Sequence, residues 1–395
     1  AMKMGAPVVG LLDCAGVRLQ EACDALNGFG EIYKKQALAS GVVPQISAVF
    51  GHCGGGLALI PAMSDFAFME EKNAKLFVNS PNAIDGNNVS KCDTASAQFQ
   101  SEESGLVDTA DEASIMAKIR QLVSILPSNN ADGDFYGECA DDLNRVCAEL
   151  QNAVEDPAVV LAGISDSNIF VETKSSYAKD MVTGFIRMNG LTIGAVANRT
   201  TLFDSEGNAV EKFDSVLSAK GCNKAADFVN FCDAFDIPVL TLTNVTGYKA
   251  CKCSEKKIAR AAAALTYAFA NATVPKVNIV TGSAFGSAYV TMNSKALGAD
   301  MVYAWKDAKI GMMDAQAAAK IMYADELASA DNAKELLDAK TAEYAELQGS
   351  ALAAAKRGYV DTIIDAQDTR KYVIGAFEML FTKREETPAK KHGTV

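Results

Sequence analysis

The sequence predicts an α/β protein containing two copies of one parallel-sheet unit, on three observations. Segments 43–56 (VPQISAVFGHCGGG) and 274–287 (VPKVNIVTGSAFGS) share their punctuation: Pro44 matches Pro275, Gly51 matches Gly282 and Gly55 matches Gly286, each pair 231 positions apart. The same offset, without a gap, aligns Pro7 with Pro238 and Gly16 with Gly247. Between these marks both copies alternate short apolar runs with amphipathic ones. A strand–helix–strand–helix order means βαβ units, right-handed crossovers and a largely parallel sheet.

Each element has its own signal. A Pro opens a short apolar strand (8–12; 239–242), a Gly-containing loop follows, and an amphipathic helix comes next (20–38; 255–270). A second Pro opens a buried strand (45–50; 276–281) that runs into a small-residue turn and another helix. A third strand is expected at 73–78 and at 307–312. Upstream of Pro238, FIRMNG and LTIGAVANR flank Asn189-Gly190, a hairpin signal, and a helix is expected over 219–235.

Subtracting 231 puts the counterparts of that hairpin and of most of that helix before residue 1. The first unit should then lack its first strands, leave the surface beside Val8 to Leu12 uncovered, and belong to a longer gene product. The expected domains are 1–130, a connecting segment 131–160 that opens near Pro127–Gly133 and holds a helix over 141–154, and 161–395. Residues 324–357, rich in Ala, Glu, Lys and Leu, read as a helical insertion in the last of these.

Composition removes several function classes. The 395 residues carry a net charge of −12 and no basic stripe, which argues against a nucleic-acid partner. No apolar run reaches the roughly 18 residues of a membrane span. Ten cysteines without framework spacing suggest reduced thiols and a cytoplasmic protein. Cys251-Lys-Cys253 lacks the second pair a metal site would need, so no metal is expected. His52 and His392 are the only histidines, so a Ser-His-Asp or Cys-His hydrolase does not fit.

The candidate site lies in the two glycine turns. Gly55-Gly56 and Gly286-Ser287 each end a buried strand and open a helix. First-turn N–H groups have no intrahelical partner, and small side chains let a ligand approach them. Such a turn can hold a developing oxyanion. No Walker lysine and no G-x-G-x-x-G spacing accompanies either turn, so a nucleotide phosphate fits less well. Close helix–strand packing is the bland reading, and the matched pair argues against it. Neither following helix carries a Glu for hydratase chemistry. Two oxyanion turns without local acid–base groups suit transfer between two carbonyl partners.

These blocks resemble the carboxyltransferase subunits of biotin-dependent acyl-CoA carboxylases and decarboxylases. Segment 41–69 is similar to the family's substrate-side motif and 273–313 to its biotin-side motif; 11–33 and 357–393 resemble the flanking regions. The resemblance implies two ClpP/crotonase-like domains of repeated ββα units. It implies a hexamer with active sites between the N-half of one subunit and the C-half of another. Gly55 and Gly56 would hold the enolate of a CoA thioester. Gly286, Ser287 and Ala288 would hold the biotin ureido oxygen, with Ala15, Gly16, Gly247, Tyr289 and Val290 lining the substrate sites. Biotin N1 would be the base, borne on a biotin carboxyl carrier protein, and a membrane decarboxylase subunit is a further implied partner. The chain departs from the family pattern at 282–287, where Gly-Ser-Ala-Phe-Gly-Ser replaces Arg-Lys-Ala-Tyr-Gly-Gly, at 95–100, at Asp314 in place of Gly and at Val290 in place of Asp. A non-catalytic CoA-binding or assembly member of the same fold is the alternative reading.

Overall fold

A computed structural model of the chain describes residues 1–14, 16–132, 137–204, 206–388 and 392–393. Contacts divide it into two units, the first of residues 1–135, 173–178 and 234–236, and the second of the rest.

In the first unit β1 (Val8–Cys14) leads through α1 (Ala22–Ala39) to β2 (Gln45–Gly54). A 3₁₀ turn (Gly55–Ala58) and α2 (Leu59–Ala62) follow, then β3 (Phe66–Glu70), β4 (Lys75–Phe77), β5 (Asp108–Ala110) and α3 (Glu112–Ile125). The sheet order is β1-β2-β3-β5, all parallel, with β4 pairing farther along β2. Helix α3 starts because Asp111 accepts the Ser114 N–H, and it buries Ile115, Ile119, Leu122 and Ile125, one face at helical spacing. Val49, Met69, Leu76 and Val107 form the core near the end of β2.

The second unit opens with α4 (Pro157–Ile164), whose N-cap Asp156 accepts the Ala158 N–H and whose Pro157 sits at a position that needs no amide. The hairpin β7 (Met181–Met188) and β8 (Leu191–Asn198) follows β6 (Phe170–Thr173). Its turn has φ of 52° at Asn189 and 77° at Gly190, the left-handed pair that Asn-Gly favours. A small ribbon of β9 (Thr201–Phe203) and β10 (Ala209–Lys212) comes next, then β11 (Val216–Leu217) and α5 (Ala219–Ala234). The repeated part runs β12 (Val239–Val245), β13 (Gly247–Tyr248), α6 (Lys252–Glu255), α7 (Ile258–Asn271), β14 (Lys276–Phe285), α8 (Gly286–Thr291), β15 (Met301–Trp305) and β16 (Lys309–Gly311). Helices α9 (Ala315–Met322), α10 (Ala324–Ser329), α11 (Ala333–Gln348) and α12 (Ala351–Lys356) precede β17 (Thr362–Ile364) and α13 (Thr369–Leu380). The eight-stranded sheet has the order β17-β15-β14-β12-β8-β7-β6, with β16 on β14.

The repeat holds residue by residue. Val8 pairs with Gln45 and Leu12 with Val49 across β1–β2; Val239 pairs with Lys276 and Thr243 with Val280 across β12–β14, the same register 231 positions on. Both ladders then slip at one point, between Leu12 and Cys14 and between Thr243 and Val245. β3 against β2 and β15 against β14 repeat the arrangement with an offset larger by four.

Two expectations change. The third strands of the units are Phe66–Glu70 and Met301–Trp305; the expected segments 73–78 and 307–312 supply only the short β4 and β16, pairing beyond them along β2 and β14. No Pro opens Phe66–Glu70 or Met301–Trp305, so the punctuation that marks the first two strands of each unit is missing at the third. The helix expected over 141–154 is absent: these residues form turns and one 3₁₀ turn, Leu150–Ala153, and the helix starts at Pro157. Asp141 and Arg145 pair with each other, as they would on a helix, but Arg145 also donates to the carbonyls of Gly163 and Ser165, bonds that hold the segment in turns. The 324–357 segment is helical as expected.

Among the described residues no hairpin flanks β1, which is an edge strand. Val9 is 43% and Leu11 56% exposed, while their counterparts Leu240 and Leu242, between β8 and β14, are 0% and 2% exposed. Among the described residues no helix is long and apolar enough to cross a membrane.

Candidate functional site

The first turn is built by the end of β2. Gly55 has φ +62°, the left-handed region, and a Cβ there would meet nothing within 4 Å. The glycine is therefore required by conformation, and its outer face stays open to a ligand atom. Gly56 is required by packing: a Cβ would lie 2.8 Å from the Tyr33 hydroxyl, which donates to the Gly56 carbonyl at 2.6 Å. Tyr33 stacks on Phe29 one turn earlier on α1, so the helix holds the turn from one side. Cys53, two residues before Gly55, is no nucleophile. Burial, with the neighbouring Cys14, pushes its thiol up to about 12.

The second turn repeats the first. Gly286 has φ +60° and opens α8. Ser287 is exposed and Ala288 buried. The Tyr289 hydroxyl is buried without a hydrogen-bond partner, and burial pushes it up to about 12. Val290 is exposed. Thr291 Oγ1 lies 2.8 Å from the Tyr248 hydroxyl and 3.2 Å from Thr266 Oγ1, which ties the Gly247 loop and α7 to α8. Both helices after the turns are short, so individual first-turn N–H groups, rather than a summed helix dipole, provide the donors.

The loop glycines diverge. Gly16 has φ +115°, and its N–H meets Cys14 Sγ at 3.4 Å. Gly247 has no positive φ and pairs with Val216 in β11. Ala15 lies outside the described residues.

Sequence reasoning missed the groups that hold the strand ends. Asp13 Oδ1 accepts the His52 N–H at 3.0 Å, and Asn244 Oδ1 accepts the Ser283 N–H at 2.9 Å. The two side chains correspond at the same 231 offset and sit where each ladder slips. They explain the paired Gly51 and Gly282: a Cβ on Gly51 would fall inside the Asp13 carboxylate, and one on Gly282 would lie 2.5 Å from Asn244 Oδ1. In the second unit Asn198 accepts from the Asn244 N–H at 2.8 Å and donates back to its carbonyl, and Ser215 donates there as well. With Asn244 in this place, position 282 has no room for a side chain. The register offset, applied to polar residues as well as to Gly and Pro, would have found this pair.

Asp314 caps α9, accepting from the Gln316 N–H at 3.0 Å and from Ala317. It lines a cavity of about 380 Å³ with Phe285, Lys309, Met313 and Gln316, adjoining Gly286 in the chain. Cys251 and Cys253 are both exposed, and Cys251 Sγ accepts the Ser254 N–H. Among the described residues no group of His, Cys, Asp or Glu is disposed to hold a metal ion.

These turns have known relatives. The carboxyl transferase domain pattern matches residues 1–395. The propionyl-CoA carboxylase carboxyltransferase subunit of Haloferax mediterranei is 39% identical over 410 residues, covering all of this chain and 77% of that protein. The methylmalonyl-CoA decarboxylase subunit alpha of Propionigenium modestum is 37% identical, with the same coverage. A transcarboxylase 12S crystal structure with methylmalonyl-coenzyme A and methylmalonic acid bound superposes with a TM-score of 0.92 at 35% identity, over all of this chain and 76% of that one. The two sheets with matching registers are the crotonase-like layout of these neighbours. With the pattern spanning the whole chain and the duplicated turn at each of its expected positions, the protein is an enzyme belonging to the carboxyl transferase family.

Proposed function

We propose that the chain moves a carboxyl group between an acyl-CoA and biotin, each bound at one of the two turns. The supporting observation is the duplicated geometry: a left-handed glycine, Gly55 or Gly286, at the same register after two strands paired in the same way. At the first turn the N–H groups at Gly55 and Gly56 stabilise the thioester oxygen as it gains enolate charge. At the second, the N–H groups of Gly286, Ser287 and Ala288 do the same for a ureido oxygen. A donor of this kind is worth about 2.7–4 kcal/mol. The open space at Gly55 and the exposed Ser287 fit a planar carbonyl group at each turn. Tyr33 and the Asp13 and Asn244 bonds keep the turns from relaxing, so little reorganisation accompanies charge development. Biotin on a separate carrier protein supplies the nitrogen that bears the carboxyl group and accepts the substrate proton.

The names of the relatives favour propionyl-CoA or methylmalonyl-CoA as the acyl partner. The hexamer assembly of transcarboxylase 12S favours a homo-hexamer for this chain. A cytoplasmic protein, acting in a carboxylase or beside a membrane decarboxylase subunit, accords with its thiol-rich composition. The test is biotin-dependent decarboxylation of methylmalonyl-CoA, with malonyl-CoA alongside. Turnover that requires both free biotin and the CoA ester is expected. Tight CoA-ester binding without any turnover would overturn the proposal.

A further inference from the structure

The repeat supplies an internal control for surface charge. Residues 16–29 and 247–260 are counterparts, each running from the loop glycine into the following helix. The first stretch carries Arg18, Glu21 and Asp24, and Arg18 pairs with Glu21 at 3.5 Å. The second carries Lys249, Lys252, Lys256, Lys257 and Arg260 against the single acid Glu255. All five cations are exposed, and none makes an ion pair among the described residues. The fold therefore does not require this charge, and the protein as a whole is acidic, at −12.

Their placement costs stability. Lys257 is the N-cap of α7 and offers no capping acceptor, and Arg260 lies in the first turn. A helix N-terminus carries partial positive charge and favours Asp, Ser or Thr. Cations gathered there, unpaired and solvent-facing, are a feature that local folding opposes. The stretch is also fixed to the second turn: Tyr248 is bonded to Thr291 on α8, and the Lys249 N–H donates to the Leu217 carbonyl at 2.9 Å. The cations span α6 and the first turn of α7, a wider surface than one phosphate group needs.

We propose that Lys249, Lys252, Lys256, Lys257 and Arg260 form an electrostatic docking surface for an acidic carrier protein that presents its biotinyl group to the Gly286 turn. The proposal rests on the carboxyl-transfer reading above. Complementary charge raises the encounter rate and orients the partner, and it fails at high salt.

The probes are two biotinyl-lysine peptides, one with Asp and Glu flanks and one with neutral flanks. Fluorescence anisotropy reads binding directly, and decarboxylation of methylmalonyl-CoA reads the KM for each peptide. The acidic peptide is expected to bind about tenfold more tightly at low salt, and the preference to vanish at high salt. The quadruple variant Lys249→Glu, Lys252→Glu, Lys256→Glu and Lys257→Glu should abolish it, and the quadruple Gln variant should weaken it, with turnover of free biotin unchanged in both. Equal binding of the two peptides by the unaltered enzyme would overturn the proposal. So would charge-reversal variants that raise the KM for the CoA ester and leave the peptide preference intact, which would assign the cations to nucleotide phosphates. Absence of turnover with every biotin source would sink the carboxyl-transfer reading, while the anisotropy would still decide the docking surface.

Discussion

Asp65 Oδ2 accepts the backbone N–H of Gln45 at 2.7 Å, and its counterpart Asp300 accepts the Lys276 N–H at the same distance. The two differ in company. Lys383 Nζ lies 2.9 Å from Asp300, whereas Asp65 has no cation partner among the described residues. Burial, only partly offset by the Gln45 bond, pushes Asp65 from 3.8 up to about 6.

That shift gives a pH dependence with a definite sign. The folded state holds the Asp65 proton more tightly than the unfolded chain, so this group's contribution to stability falls as pH rises from about 4 through about 6. The rise corresponds to roughly 3 kcal/mol. Asp65→Asn keeps the acceptor and should remove that slope, being more stable than the unaltered protein at pH 7 but not at pH 4. Urea unfolding at the two pH values checks it; an unchanged slope would show that Asp65 is not strained by burial.

Gly56→Val should abolish use of the CoA ester, because even a Cβ would meet the Tyr33 hydroxyl at 2.8 Å. Tyr33→Phe combined with Gly56→Ala relieves that contact and separates misfolding from a blocked turn. Ser287→Val should lower transfer to free biotin by about 100-fold or more, because the branched side chain fills the space the ureido oxygen needs and shields the backbone donors, and leave CoA-ester binding intact. Full activity in both single variants would reduce the turns to packing features.

Gly282→Ala should destabilise the second unit by about 1–3 kcal/mol through overpacking against Asn244. Asn244→Gly added to it should recover less than the full loss, since the Ser283 N–H then lacks its acceptor. Thermal unfolding of the two single variants and the double gives the coupling. A coupling near zero would mean that Asn244 moves aside freely.

Arg370 is fully buried, with Nη2 2.6 Å from Asp166 Oδ1 and Nη1 2.6 Å from the Ile164 carbonyl. Asp166 in turn accepts from Gly190 at 2.8 Å in the Asn-Gly hairpin turn. Arg370→Met should cost about 3–5 kcal/mol, because Asp166 stays buried without its cation. Denaturant unfolding measures it, and a loss below about 1 kcal/mol would contradict a structural role.

The repeat, the glycine turns and the Asn189-Gly190 hairpin are legible in the order of residues alone. They rest on local chemistry: Pro fixes φ at strand starts, Gly reaches φ of +60° and +62°, and an Asn-Gly pair matches a twisted hairpin turn. Pattern reading misplaced the third strands because Phe66–Glu70 and Met301–Trp305 have no Pro before them, unlike the strands that open at Pro44 and Pro275. It assigned a helix to 141–154, where Arg145 bonds reaching 18 and 20 residues along the chain override helical pattern. Why Gly51 and Gly282 are glycines emerges only in the folded chain, since the answer is the Asp13 or Asn244 side chain on a neighbouring strand. The fold alone also makes Gly16 and Gly247, aligned in sequence, adopt different conformations, because β11 pairs with the second loop. Contacts between residues far apart in the chain carry those decisions, and no window of sequence contains both partners.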